Sequence, residues 1–157
     1  DVGVVHAGKA RSRTDIVVAG ADMRVSSIDV ASIGAGGGSI ARVDRGELRV
    51  GPDSAGANPG PACYGRGGKL PTATDADLVL GVLNPSNFVA GRLKLDLEAA
   101  TRAIEEHVAR PLGLTVQTAA WGIREVLDKK MADLLRRVTI EREARQRVPN
   151  PRQEGGR

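Results

Sequence analysis

The sequence predicts an α/β fold in which strands come first and helices follow. Residues 1–50 hold short apolar segments of alternating pattern, whereas residues 74–141 carry apolar side chains at helical spacing. A stretch rich in glycine and proline, residues 51–73, separates the two. We therefore expect one domain over residues 1–141, built as strands, loop and helices. The polar, basic residues 142–157 have no apolar face and are expected to be a disordered tail.

The strand-forming part is expected to contain two hairpins. Val2–Val5 and Ile16–Val18 are rich in β-branched residues and are predicted to be joined as one hairpin. Ile40–Val43 and Leu48–Val50 alternate apolar and polar positions on either side of a turn sequence, Asp-Arg-Gly-Glu. This pattern predicts a second hairpin with two distinct faces.

Three helices are predicted, and each begins at a polar residue whose side chain can accept a backbone N–H bond. The first is short and ends before Pro85, and the second ends near Pro111. The third is long and carries an i, i+3, i+4 apolar stripe as far as Val138. The expected caps are Thr74 or Asp75 for the first helix, Asp96 for the second and Thr115 for the third.

The amino-acid composition limits the cellular compartments and the kinds of partner that we expect for this chain. The net charge is +4, and the whole excess lies in residues 124–157. No aromatic residue stands among those cations to stack on bases, so a nucleic-acid partner is not expected. Cys63 is the only cysteine, which excludes an internal disulfide and a cysteine zinc site. With no membrane-length apolar run and no signal-peptide pattern, we expect a cytoplasmic protein without a membrane partner.

The cluster Gly34-Ala35-Gly36-Gly37-Gly38-Ser39 is the strongest candidate for a binding loop. It lacks the third glycine of a dinucleotide fingerprint and the Gly-Lys-Ser/Thr of a P-loop. Its consecutive main-chain amides can form a concave anion site, with the serine hydroxyl as a further donor. The alternative is a close crossing of strands that leaves no room for side chains. The predicted contacts to phosphate or substrate are Gly36, Gly37, Gly38 and Ser39.

Two carboxylates are candidates for catalysis. Asp29 precedes the glycine cluster at a strand end, where a carboxylate can hold Mg²⁺ or orient water. Asp75 and Asp77 form an Asp-x-Asp pair, but side chains two apart on a helix point to different faces. Helix capping is therefore an alternative for Asp75. Cys63 and Tyr64 are expected to shape the loop, because no histidine stands near the thiol in sequence to activate it.

Four segments in order carry a family resemblance: SIGAGGGSIA, VDRGELRVGPDSAG, NPGPACYGRGG and PTATDADLVLGVLNP. Together they resemble the hydantoinase A type subunit (N-methylhydantoinase A, acetone carboxylase β) of the hydantoinase/oxoprolinase family. The resemblance implies a partial actin-like, ribonuclease H-like ATPase domain that uses ATP with Mg²⁺. It also implies ATP-dependent opening of a cyclic amide such as hydantoin, N-methylhydantoin or 5-oxoproline, together with a hydantoinase B type partner subunit.

Two alternatives stay open beside that function. One is an ATP-dependent ketone carboxylase subunit, which the same resemblance allows. The other is a non-catalytic scaffold or subunit-interaction module that uses the long amphipathic helix as its partner surface.

The resemblance also implies nucleotide loops beyond this chain, one of which would close at Asp1. We therefore expect the chain to be an internal piece of a catalytic subunit and to be inactive alone. Phosphoryl transfer needs several phosphate-holding groups together with Mg²⁺. The expected result is that Mg·ATP gives no low-micromolar binding to the 157-residue chain by isothermal calorimetry. Such binding would contradict the expectation.

Overall fold

The computed structural model describes residues 1–14 and 16–147. The chain divides into two compact units. The first comprises residues 1–33 together with the described residues from Ala132, and the second comprises Gly34–Met131.

The first unit is made of short antiparallel pairs. Each pair is two or three residues long, so the segment forms narrow ribbons rather than a broad sheet. The pairs are β1 (Val2–Gly3) with β8 (Val30–Ala31), β2 (Val5–His6) with β3 (Lys9–Ala10), β4 (Ser12–Arg13) with β7 (Ser27–Ile28), and β5 (Ile16–Val18) with β6 (Ala21–Met23).

The pairing in this unit differs from the predicted hairpin. The segments around Val5 and Ile16 do not pair with each other; each turns back on its own neighbour. The cause is two Ala-Gly turns in which both central residues have positive φ: 48° and 74° at Ala7–Gly8, and 50° and 84° at Ala19–Gly20. Two-residue turns of this kind match the twist of antiparallel strands and close tight hairpins.

The second unit begins with the predicted hairpin of β9 (Ser39–Asp44) and β10 (Glu47–Ser54). Its turn, Arg45–Gly46, again has positive φ at both positions, 53° and 83°. The register shifts between Val50 and Ser54, which marks a bulge in β10. This bulge carries the chain from the hairpin into the long glycine- and proline-rich loop.

The helices follow the predicted order, with different bounds for the first and the last. The first helix begins two or three residues earlier than predicted, because Thr72 and not Thr74 or Asp75 is its N-cap. Asp96 caps the second helix as expected, accepting a bond from the Ala99 amide. The elements are α1 (Ala73–Val79), α2 (Leu97–Ile104), a π-helical turn (Glu105–Ala109), α3 (Arg110–Leu112) and α4 (Val116–Arg147), with a 3₁₀ turn (Ala62–Tyr64) in the loop.

The last helix runs further than the predicted boundary at Glu141, because α4 is helical through Arg147. The added residues, Glu-Arg-Glu-Ala-Arg-Gln-Arg, are all strong helix formers, so the helix continues without an apolar face. The rest of the predicted disordered tail, residues 148–157, lies outside the described residues. Within the described part of the chain, no helix is long and apolar enough to cross a membrane.

The core of the second unit lies where α4 and the α2–α3 segment cover the β9–β10 hairpin. Ile104, Ile123 and Val50 are its largest fully buried apolar side chains. Arg124 joins α4 to α1 through two contacts with the Asp77 carboxylate, at 3.0 and 3.1 Å. These contacts fix α1, and with it the loops at its N-terminal end.

Candidate functional site

The predicted binding loop, Gly34–Ser39, which we call the glycine loop, is held closed by its last residue. The Ser39 hydroxyl accepts a hydrogen bond from the Gly36 amide at 2.9 Å, and its own amide donates to the Gly36 carbonyl at 3.0 Å. Ser39 is only 4% exposed. As an acceptor, the Ser39 hydroxyl shapes the loop, and its predicted role as a donor to a ligand stays a prediction. The Gly36 amide is likewise occupied by this internal bond.

The carbonyls of the next two residues point into the protein. The Gly37 carbonyl accepts bonds from both the amide and the hydroxyl of Thr74, each at 2.9 Å, and the Gly38 carbonyl accepts from the Ala55 amide at 2.9 Å. In a trans peptide the N–H points away from the preceding carbonyl, so the Gly38 amide points away from Thr74. Among the described residues, the Gly37 and Gly38 amides have no hydrogen-bond acceptor.

The same residues also leave no room for side chains. A Cβ at Gly37 would lie 2.8 Å from Thr74 Oγ1, and a Cβ at Gly38 would lie 2.8 Å from Ser54 Oγ. A Cβ at Gly36 would meet nothing within 4 Å. The close approach predicted as the alternative is therefore present at Gly37 and Gly38, and their amides have no acceptor among the described residues. Their role in binding phosphate or substrate stays a prediction.

Asp75 occupies a different environment from the one predicted. It is fully buried, with 0% exposure. Its carboxylate accepts bonds from the amides of Cys63 (2.7 Å), Thr72 (2.8 Å) and Ala62 (3.3 Å), and from the Thr72 hydroxyl (2.8 Å). A carboxylate so enclosed does not face water or a metal. In this structure it ties the Ala62–Tyr64 turn to the start of α1, consistent with the capping alternative.

Cys63 and Tyr64 lie in the turn that Asp75 holds. The Cys63 thiol is fully buried, and burial, reinforced by the negative charge of Asp75, raises its pKa above the ordinary value. Tyr64 packs against Phe88 with ring centroids 5.8 Å apart, and the Arg66 guanidinium lies 6.0 Å from its ring centre. Burial also raises the pKa of Tyr64. Both side chains pack within the structure, in keeping with the expected loop-shaping role.

The protected thiol gives a test in solution. We expect Ellman's reagent at pH 8 to modify Cys63 at least about 100-fold more slowly in the folded chain than in guanidinium, because the buried thiol is not ionised. An unfolded thiol loses its proton near pH 8.5, whereas the folded one keeps it. The free energy of unfolding is therefore expected to fall as the pH rises above about 8.5. Rapid modification of the folded chain would contradict this environment.

Asp77 and Asp29 are the remaining carboxylates that the sequence analysis considered. Asp77 is engaged with Arg124, as described above. Asp29 belongs to the first unit, where its amide donates to the Arg11 carbonyl at 2.8 Å. Its predicted position beside the glycine loop stays a prediction. Among the described residues, no group of three or more His, Cys, Asp or Glu side chains could hold a metal ion.

Thr72 and Thr74 are the site residues that the sequence analysis missed. Thr72 forms a reciprocal capping box with Asp75, and Thr74 anchors Gly37. The sequence did indicate the Thr72 cap, because Thr-x-x-Asp before an apolar segment is a variant of the capping-box pattern. The Thr74–Gly37 contact joins residues 37 positions apart, which no local pattern indicates.

Comparisons with known proteins identify the family to which the chain is similar. A family model described as Hydantoinase/oxoprolinase matches residues 1–151. The caprolactamase subunit alpha of Pseudomonas jessenii is 51% identical over 119 residues, covering 75% of this chain and 17% of that protein. The acetophenone carboxylase gamma subunit of Aromatoleum aromaticum is 48% identical over 117 residues, covering 73% of this chain and 16% of that protein.

A solved structure shares the fold. The nucleotide-free structure of acetone carboxylase, from a study of ATP-dependent acetone carboxylation, superposes with a TM-score of 0.74 at 37% identity. The match covers 85% of this chain and 19% of that one. The predicted fold class, a partial α/β domain with strands before helices, is thereby confirmed. The chain spans about a fifth or less of the length of these relatives.

Proposed function

Because the chain belongs to the hydantoinase/oxoprolinase family, we propose that it forms part of an ATP-dependent subunit that opens cyclic amides. Its substrates would be compounds such as hydantoin, N-methylhydantoin or 5-oxoproline. Within that subunit, the amides of Gly37 and Gly38 would contact phosphate or the phosphorylated substrate. The observation that carries the proposal is the pair of main-chain amides at Gly37 and Gly38, which have no hydrogen-bond acceptor among the described residues.

The residues present fit an anionic phosphoryl group. Two neighbouring main-chain amides on a tightly packed loop form the kind of concavity that binds phosphate oxygens. ATP with Mg²⁺ would supply the phosphoryl group that activates the amide oxygen. On this chain, Gly37 and Gly38 would orient that group, while Ser39, Thr74 and Asp75 would position the loop. We keep Asp29 as the candidate carboxylate for metal or water.

Partners and location are part of the same proposal. The relatives carry subunit designations, alpha for the caprolactamase and gamma for the acetophenone carboxylase, so assembly with a second subunit of hydantoinase B type is expected here too. The cytoplasm is the location that the single cysteine favours.

A chimera tests the proposal. Residues of this chain would replace the matching segment of the Pseudomonas jessenii caprolactamase subunit alpha, and ATP-dependent opening of caprolactam would be measured. We expect the chimera to retain activity. Gly37→Ala in the chimera is expected to lower kcat at least about 10-fold, because the new methyl group collides with Thr74 Oγ1 and displaces the amides.

Gly122→Ala is the matched control, since its added methyl group meets only the Leu48 Cδ2 atom at the end of a side chain, at 3.2 Å. Its activity should stay within about twofold of the parent chimera, as the position lies on α4 outside the loop. A folded chimera without ATP-dependent activity, or one in which Gly37→Ala has no effect, would refute the proposed role of the loop.

The second candidate function is ATP-dependent carboxylation of a ketone. The similarity to the acetophenone carboxylase gamma subunit and to the acetone carboxylase structure favours it. The same exchange made in the acetone carboxylase beta subunit, which is 38% identical over 138 residues, separates the two candidates. Activity in the carboxylase chimera alone would make this the preferred function.

A further inference from the structure

A cleft of about 540 Å³ lies beside the glycine- and proline-rich loop, within the second unit. One wall is the loop at Lys69, and the other is the helical segment that carries Arg102, Glu106 and His107. Its volume falls in the range of small-molecule sites. Ala62 and Ala103, 3% and 4% exposed, form part of the lining, so small side chains leave the space open.

The charges in this cleft are available to a ligand. Among the described residues, neither Lys69 nor Glu106 forms an ion pair. Arg102 contacts Glu98 at 3.6 Å, and both side chains are mostly exposed, at 62% and 88%. An exposed pair of this kind is weak, so the guanidinium can exchange it for a ligand. The cleft thus presents two cations and one carboxylate.

Two backbone features mark the two walls of the cleft. Gly68 is pressed against the neighbouring turn so closely that a Cβ there would lie 2.2 Å from the Gly60 carbonyl oxygen, and this packing places the backbone that leads into Lys69. On the opposite wall, Glu106 and His107 lie in the π-helical turn Glu105–Ala109. Such turns are rare in proteins and frequently occur at functional sites.

We propose that this cleft binds a small zwitterion that carries both a carboxylate and an ammonium group, as an amino acid does. Lys69 and Arg102 would bind the carboxylate, and Glu106 would bind the ammonium. A simple anion would leave the Glu106 carboxylate facing a like charge, which is unfavourable. A ligand with both charges pairs all three side chains at once.

The proposal adds a site to the one at the glycine loop and does not depend on it. It does fit the proposed reaction chemically, since opening a cyclic amide produces an amine and a carboxylate in one molecule. Binding to the cleft is measurable without any catalytic turnover, so the two proposals succeed or fail separately.

The experiment compares two probes that differ in one group. The amide resonances of the ¹⁵N-labelled 157-residue chain are followed while L-glutamate or glutarate is added at constant ionic strength, since salt screens exposed charges. We expect saturable shifts at residues 68–70 and 102–107, with glutamate binding at least about fivefold more tightly than glutarate. Inorganic phosphate, added in a third titration, is expected to bind more weakly than glutamate.

Three variants assign the contacts. Lys69→Gln and Arg102→Gln are each expected to weaken glutamate binding at least about fivefold. Glu106→Gln is expected to remove the preference for glutamate over glutarate. Lys94→Gln is the matched control, an exposed cation outside the cleft lining whose loss should leave binding unchanged.

Two kinds of result would overturn the proposal. Glutarate or phosphate binding as tightly as glutamate would exclude a zwitterion site. Shifts that spread over the basic surface without saturating, or a loss of binding in Lys94→Gln equal to that in Lys69→Gln, would show nonspecific charge attraction instead.

Discussion

Replacing Asp75 by alanine is expected to lower the free energy of unfolding by about 3–5 kcal/mol, because four buried hydrogen bonds lose their acceptor at once. The carboxylate is fully buried and accepts bonds from three amides and one hydroxyl. Its removal leaves those donors buried without an acceptor, and each unsatisfied group costs about 1–3 kcal/mol. Urea unfolding followed by circular dichroism measures the change.

Glu98→Gln provides the control for this change. Its side chain is 88% exposed and forms only a weak pair with Arg102, so the expected change is within about 0.5 kcal/mol. If Asp75→Ala unfolded at the same urea concentration as the parent chain, the carboxylate would not be holding the turn to α1. Its assignment as a positioning residue would then be wrong.

The second large effect is expected at Ile123, which is fully buried in the core between α4 and the hairpin. Ile123→Ala should cost about 2–5 kcal/mol, because it removes buried methyl groups and leaves a cavity. Ile140→Ala makes the same chemical change on the same helix at a side chain that is 66% exposed. Its expected cost is about 0.5 kcal/mol or less.

Thermal or urea unfolding of both variants decides this comparison. Equal losses at Ile123 and Ile140 would mean that the second unit lacks the packed core described above. A large loss at Ile123 alone supports that core, and so supports the rigid placement of the loops on it.

The sequence motifs were sufficient to predict the family, and that prediction is confirmed by the match over residues 1–151. Local patterns also predicted the β9–β10 hairpin and the Asp96 cap, because both depend on residues close in sequence. Local patterns also predicted the start of α4, where the Thr115 hydroxyl accepts a hydrogen bond from the Thr118 amide. These features need no knowledge of tertiary contacts.

Other features depended on contacts that no local pattern reveals. Asp75 was predicted near metal or water, but Ala62 and Cys63 from the preceding loop enclose it. The positive-φ turns in the first unit place alanine where asparagine or aspartate is the usual signal, so the ribbon pairing was missed. The second helix was predicted to run unbroken to about Pro111, and the π-helical turn Glu105–Ala109 within it has no local sequence signal.

The enclosed carboxylate of Asp75 has a consequence for motion. The Asp75 carboxylate accepts hydrogen bonds from amides of both the Ala62–Tyr64 turn and the residue that caps α1. If either segment moved away, the carboxylate that the other segment also binds would be displaced. We therefore expect the turn and the helix to open together, so that hydrogen exchange followed by NMR gives their protected amides a common opening free energy.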